Sequence, residues 1–333
     1  MTFKRLILSI MLVASLSLLL ASCSKGKKSN RSAVNGMCKV MCDESFKNIL
    51  DDEIQVFEFS YKDATVLARY IDESAALDSL LNENTDLIIT YRDLTPNQKK
   101  ILQGQGRAYR SRRIAVDAVA LIVNTANDID YLSMNDIQDI MTGKSTKWGQ
   151  VYPTVLKDEP IKVVFDKNRS GVLHYMKDKF NDGKDLPIEF FAQGSSQEVF
   201  DIVKKTRNAI GIIGVSWITT DMKSTAATIE ERYAELENGS NQQETKFTSE
   251  VKVLGVRTED KITDYKPYQA YIFDGSYPLT REIFAIDASP LGTVYHDFFV
   301  FLTGSIGQKI ILQTGISPAA VPVRIVNVSG GNQ

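Results

Sequence analysis

Strand-like and helix-like segments alternate along nearly all of this 333-residue chain, and that alternation narrows the possible folds more than any single motif does. The run Met-Cys-Lys-Val-Met-Cys over 37–42 reads as a strand, followed by a helical stretch over 44–59. Strands are expected at 65–70 and 86–90, with a helix near 74–82 between them. A long β-rich run, Ile-Ala-Val-Asp-Ala-Val-Ala-Leu-Ile-Val-Asn, covers 114–124. The next helix, 133–141, has Ser133 as its N-cap and Gly143 as its stop. Short apolar strands fall at 161–165, 210–215 and 283–286, and helices at 171–180 and 197–205. A last helical stretch, 293–313, breaks near Gly304, and the acid-rich segment 225–246 reads as a surface excursion. This order predicts an α/β fold with a mostly parallel sheet.

The N-terminus has a different character. Lys4 and Arg5 precede an almost wholly apolar run over 6–20, and its 15 residues are too few for a stable membrane-spanning helix. It ends in Leu20-Ala21-Ser22-Cys23, which resembles the lipobox that makes a cysteine the first, lipid-bearing residue of a mature lipoprotein. Several acyl chains on Cys23 would anchor it durably, since each buried CH₂ is worth roughly 0.8 kcal/mol. The basic, polar stretch 24–36 then reads as a flexible tether with about 20 Å of reach.

Over the whole chain, composition is ordinary for a globular protein, with 43% hydrophobic and 24% charged residues. Without Lys4 and Arg5, 37 basic residues stand against 41 acidic ones. No basic stripe interleaved with aromatics is present, which argues against nucleic acid as a partner. Cys38 and Cys42 lie four apart on an expected strand, about 13 Å by Cα and beyond disulfide reach, so both read as buried thiols. With His174 and His296 the only histidines, no metal site or cofactor is expected.

Ligands of open α/β sheets bind where strand ends meet helix N-termini. Three such junctions offer a hydroxyl beside unpaired backbone N–H groups, the usual way to hold an oxyanion. They are Asp43-Glu44-Ser45-Phe46, Asp72-Glu73-Ser74, and Asp166-Lys167-Asn168-Arg169-Ser170-Gly171. Catalytic motifs fail by comparison. Gly143-Lys144-Ser145 lacks the glycine a phosphate-binding P-loop needs, because Gln138 stands there. Gly214-Val215-Ser216-Trp217-Ile218 breaks the hydrolase elbow at its last position. No enzyme activity is expected.

Several further stretches carry a resemblance. They are Ile210-Gly211-Ile212-Ile213-Gly214, Tyr277-Pro278-Leu279-Thr280-Arg281, the run over 117–124, Ile140-Met141-Thr142-Gly143 with Trp148, and the tail over 301–311. With the junctions above, they resemble the phosphate-binding lipoproteins of Pst-type ABC importers, over 37–328. That resemblance implies a two-lobed periplasmic binding protein fold with the ligand in a cleft crossed by two hinge segments. Lobe 1 would comprise 37–115 plus 266–328, and lobe 2 would comprise 116–265. The ligand would be inorganic phosphate or a related oxyanion, and the partners the permease subunits of an ABC importer and the membrane itself. A transporter-independent anion sensor or interaction module is the alternative, and a lipid-anchored hydrolase stands third.

By position, the resemblance puts Ser45, Phe46, Ser74, Ser170 and Gly171 at the ligand. Two positions depart from the family. Its arginine four residues before the second-lobe serine is Asp166 here, which leaves Arg169 as a shifted cation. Its acidic or serine residue after the third strand is Tyr91, followed by Arg92. Asp166 would then take over as the acceptor for a phosphate proton, the feature that rejects fully ionised anions.

Overall fold

A computed structural model describes residues 34–166, 168–192, 194–220, 228–238 and 246–320. The expected lipid-bearing Cys23, its leader and most of its tether lie outside the described residues, as does the end of the chain. Strand β1 (Asn35–Asp43) starts exposed and is buried from Val40 to its end, because neighbours cover it on both edges. It pairs in parallel with β2 (Asp63–Ile71) and β3 (Leu87–Thr90). Parallel pairing requires crossovers, supplied here by α1 (Lys47–Ser60) and α2 (Glu73–Leu81).

A longer strand follows, β4 (Arg110–Val123), and after it β5 (Lys162–Phe165), α3 (Gly171–Asn181), β6 (Phe191–Ala192), α4 (Ser196–Lys205) and β7 (Ala209–Gly214). Then come α5 (Ile229–Asn238), β8 (Thr280–Asp287), α6 (Val294–Thr303) and α7 (Ser305–Gln313). The main sheet runs β2-β1-β3-β8-β4-β7-β5-β6. Its outer pairs are parallel, but β8 is antiparallel to both β3 and β4, and β4 to β7. The sheet is therefore mixed where a mostly parallel one was expected. The reason is that β8 returns from the far end of the chain and fills the centre without a crossover helix.

Strand β4 belongs to both halves of the sheet. Its residues Arg110 to Ala118 pair with β8, and Val119 to Val123 pair with β7. At the changeover the Val119 N–H donates to Leu279 O at 2.8 Å, and the buried Tyr277 hydroxyl donates to Val119 O at 2.7 Å. The same register sets Asp117 directly opposite Arg281.

Both Cys38 and Cys42 are buried free thiols, as the sequence suggested. Burial pushes the Cys38 thiol up to about 12, with Glu58 adding to the effect. Ser133 caps its helix and Gly143 follows with positive φ. The polar excursion contains a feature its composition hides. Ile229, Tyr233 and Leu236 form one apolar stripe on α5, which packs on Val56 of α1 and Ile310 of α7. Among the described residues, no helix is long and apolar enough to cross a membrane.

Candidate anion cradle between the two halves of the sheet

Three strand ends converge on one buried group. At the end of β1, Asp43 caps a single 3-10 turn, Glu44–Phe46, and its Oδ1 accepts the Ser45 N–H at 2.9 Å and the Ser45 hydroxyl. Its other oxygen, Oδ2, accepts the Gly171 N–H at 2.7 Å, across the gap between the halves. Gly171 is the first residue of α3, so that N–H is one of the donors a helix start leaves without an intrahelical partner. Ser170 caps α3, accepting the Leu173 N–H at 3.2 Å, and donates its hydroxyl to Asp166 Oδ1 at 2.5 Å. Asp43, Ser45, Asp166 and Ser170 are all buried.

The cation of this cluster is Arg281. It follows the inward phase of β8 with Ile283 and Ala285, while Glu282 points out. Its guanidinium donates to Asp117 Oδ2 from Nε at 3.0 Å and from Nη2 at 2.8 Å, and Nη2 also donates to Ser45 Oγ at 2.9 Å. The Phe46 ring lies under it, 4.5 Å from Cζ. Gly214 ends β7 against the same group, where an added Cβ would stand 3.3 Å from Nη2. The remaining nitrogen, Nη1, is buried without a hydrogen-bond partner among the described residues and lies 3.3 Å from where a Cβ on Gly171 would be. Burial works against the arginine's charge, but Asp117 and Asp43 outweigh it, so its pKa rises. It remains a cation, with Asp166 close enough to add to the same effect.

The other expected residues form a rim. The Tyr91 hydroxyl donates to Asp178 Oδ2 at 2.7 Å, and the ring edge lies against Gly171. Burial pushes the Tyr91 phenol up, and Glu73 adds to it, so the hydroxyl stays a donor. The Arg92 Nε lies 3.2 Å from the buried Glu73, whose second oxygen is 2.9 Å from His174 Nδ1. Ser74 is half-buried one residue after Glu73 at the start of α2. Arg169 does not join the buried group: its side chain is 55% exposed and lies 3.8 Å from Asp78, itself exposed. A guanidinium in water keeps its hydration, and the carboxylate it faces, Asp78, is just as open to solvent.

Sequence reasoning therefore brought together Ser45, Phe46, Asp166, Ser170 and Gly171, and missed Asp43, Asp117 and Arg281 as participants. The signal was present. Asp117 interrupts an apolar run in phase with the buried Ala115 and Val119, and Arg281 does the same on its own strand. A buried charge of each sign on two strands calls for pairing. Among the described residues, no group of three or more His, Cys, Asp or Glu side chains is arranged to hold a metal ion.

A family model described as a PBP superfamily domain matches residues 28–302. The phosphate-binding protein PstS of Staphylococcus saprophyticus is 24% identical over 269 residues, which cover 80% of this chain and 75% of that protein. An ABC-type phosphate transport receptor from Vibrio cholerae aligns with a TM-score of 0.60 at 19% identity, over 84% of this chain and 99% of the receptor. A substrate-binding protein from Clostridium perfringens, solved with bound phosphate, aligns with a TM-score of 0.66 at 19% identity, over 86% and 100% of the two chains. At these identities the structural likeness speaks to the fold, which is mixed α/β and two-lobed.

Proposed function

This chain belongs to the PBP superfamily, and from that premise we propose that it is an extracytoplasmic, lipid-anchored receptor that captures inorganic phosphate or a closely similar oxyanion. It then delivers the anion to the permease subunits of an ABC importer. One observation carries the reading: the Ser45 N–H and hydroxyl and the Gly171 N–H already converge on an oxyanion group, the Asp43 carboxylate, with Arg281 beside them. Donors that can hold one carboxylate from two sides have the spacing to hold an edge of a tetrahedral anion. In this reading lobe 1 is 37–115 with 266–328, lobe 2 is 116–265, and β4 is one of the two crossings between them.

The roles follow from position. Ser45, Ser170 and the N–H groups of Phe46, Ser74 and Gly171 donate to the anion, and Arg281 balances its charge. Asp166 accepts the proton that phosphate keeps at neutral pH, which disfavours a fully ionised sulfate. Tyr91 closes the rim, and Arg92 and Arg169 attract the anion from its edge. Binding and release are the whole task, without catalysis. Calorimetry of the full chain in detergent should give one phosphate per chain and no heat with sulfate. Binding of sulfate or molybdate in place of phosphate would overturn the assignment. The anchor has its own check: labelled palmitate should enter the wild-type chain and fail to enter Cys23→Ser. Delivery predicts that deleting the gene lowers the rate of phosphate uptake by whole cells.

A further inference from the structure

We propose that the Asp43 carboxylate is a resident competitor in the anion cradle: it closes the gap between the lobes from within, and a free anion binds by displacing it. Helix capping accounts for only half of its contacts. An aspartate at the head of a 3-10 turn needs to satisfy the turn's own N–H, here that of Ser45. Its second oxygen goes elsewhere, to the N–H of Gly171, 128 residues further along the chain. That donor starts α3, where the peptide dipoles favour a negative charge. The same oxygen is 3.2 Å from the Cβ position of Gly171, and Arg281 Nη1 is 3.3 Å from it, so the carboxylate and the unpartnered nitrogen border one small space. The two oxygens of Asp43 thus take donors from both lobes, as two oxygens of a bound tetrahedral anion would.

An occupant tied to the backbone faces the donors at a high effective concentration, because it has no translational freedom to lose. A diffusible anion must exceed that concentration before it gains the site. Asp166, held by Ser170 on the other side, adds a second negative charge that the incoming anion meets. The device therefore sets a threshold: the receptor stays closed on itself at low anion and loads only when anion is plentiful. The competition with phosphate rests on the binding function proposed above, whereas closure by Asp43 does not.

The test uses the full chain in detergent and two substitutions. Asp43→Ser can still cap the Ser45 N–H but is too short to reach Gly171, and Asp43→Asn keeps the shape and removes the charge. Phosphate calorimetry and amide exchange at Gly171, by nuclear magnetic resonance without phosphate, are read on each. We expect both variants to bind phosphate more tightly, Asp43→Ser by about tenfold or more. Exchange at Gly171 should be faster in both. Phosphate affinity equal to or weaker than wild type in both variants would overturn the proposal, since Asp43 would then be a cap or an acceptor for the ligand's proton. If no form binds phosphate but Gly171 exchange still rises, the phosphate assignment fails and internal closure stands. If no form binds and exchange is unchanged, both fail.

Discussion

Two buried charges behave in opposite ways in this protein. Arg281 faces Asp117 across adjacent strands, with Ser45 Oγ and the Phe46 ring also against it, so most of its burial is compensated. Removing one member strands the other, and Arg281→Ala should cost about 3–5 kcal/mol in urea unfolding. Glu53 on α1 is matched less well, with only the nearby charge of Arg232 opposing its burial: among the described residues neither buried carboxyl oxygen has a hydrogen bond, and Phe46, Ile49, Leu50 and Leu302 lie around it. Burial, with Asp52 adding to it, raises its pKa well above the ordinary 4.5. The folded state then keeps a proton that the unfolded chain releases, so stability falls as pH rises from 4.5 toward the raised value. Glu53→Leu should be more stable by roughly 1–3 kcal/mol at pH 7, and should lose that part of the pH slope in thermal melts. In the sequence, Glu53 is one polar residue among several in the helical stretch over 44–59. The core face of α1 appears only once the sheet, α6 and α7 lie against it.

Elements were legible where local signals agreed. Ser133 and Gly143 framed their helix, and the break at Gly304 separates α6 from α7 as expected. The helix Pro96–Gly104 went unread although Thr95 and Gln98 form a capping box, because its face is mostly polar. Strand direction was not legible either. An apolar run of four to eight residues reads the same in a parallel or an antiparallel pair, and β8 gives no local sign that it enters the centre of the sheet. The corner between α6 and α7 offers a test of packing at this scale. A Cβ on Gly307 would lie 2.5 Å from the Phe301 carbonyl and 3.0 Å from Leu302 Cα, both backbone atoms that cannot turn aside. Gly307→Ala should therefore destabilise by about 1–3 kcal/mol in urea unfolding, despite alanine's better helix propensity.

At the scale of the whole molecule, contacts between the proposed lobes decide how firmly a captured anion is held. Tyr91 to Asp178, Glu73 to His174 and the Trp217 indole N–H to Ser45 O at 3.2 Å all cross the gap beside the cradle. Tyr91→Phe removes one partly buried bond without changing shape, and should raise the phosphate off-rate by about 3- to 10-fold in stopped-flow chase experiments. Arg169 crosses too, but exposed and at 3.8 Å from Asp78, so Arg169→Ala should change affinity by less than about twofold, chiefly through the on-rate. The fold class was legible because the βα alternation extends along the chain. The buried charge cluster was not, because it is assembled from residues 43, 117, 166 and 281 only when the halves meet. The place of β8 also governs how the protein comes into being. As the chain leaves the ribosome, β1 to β3 and all of β4 are made long before residue 287, and the slot between β3 and β4 must wait for it. Until that strand arrives, wherever folding takes place, the sheet is unfinished and the facing edges of β3 and β4 stay open.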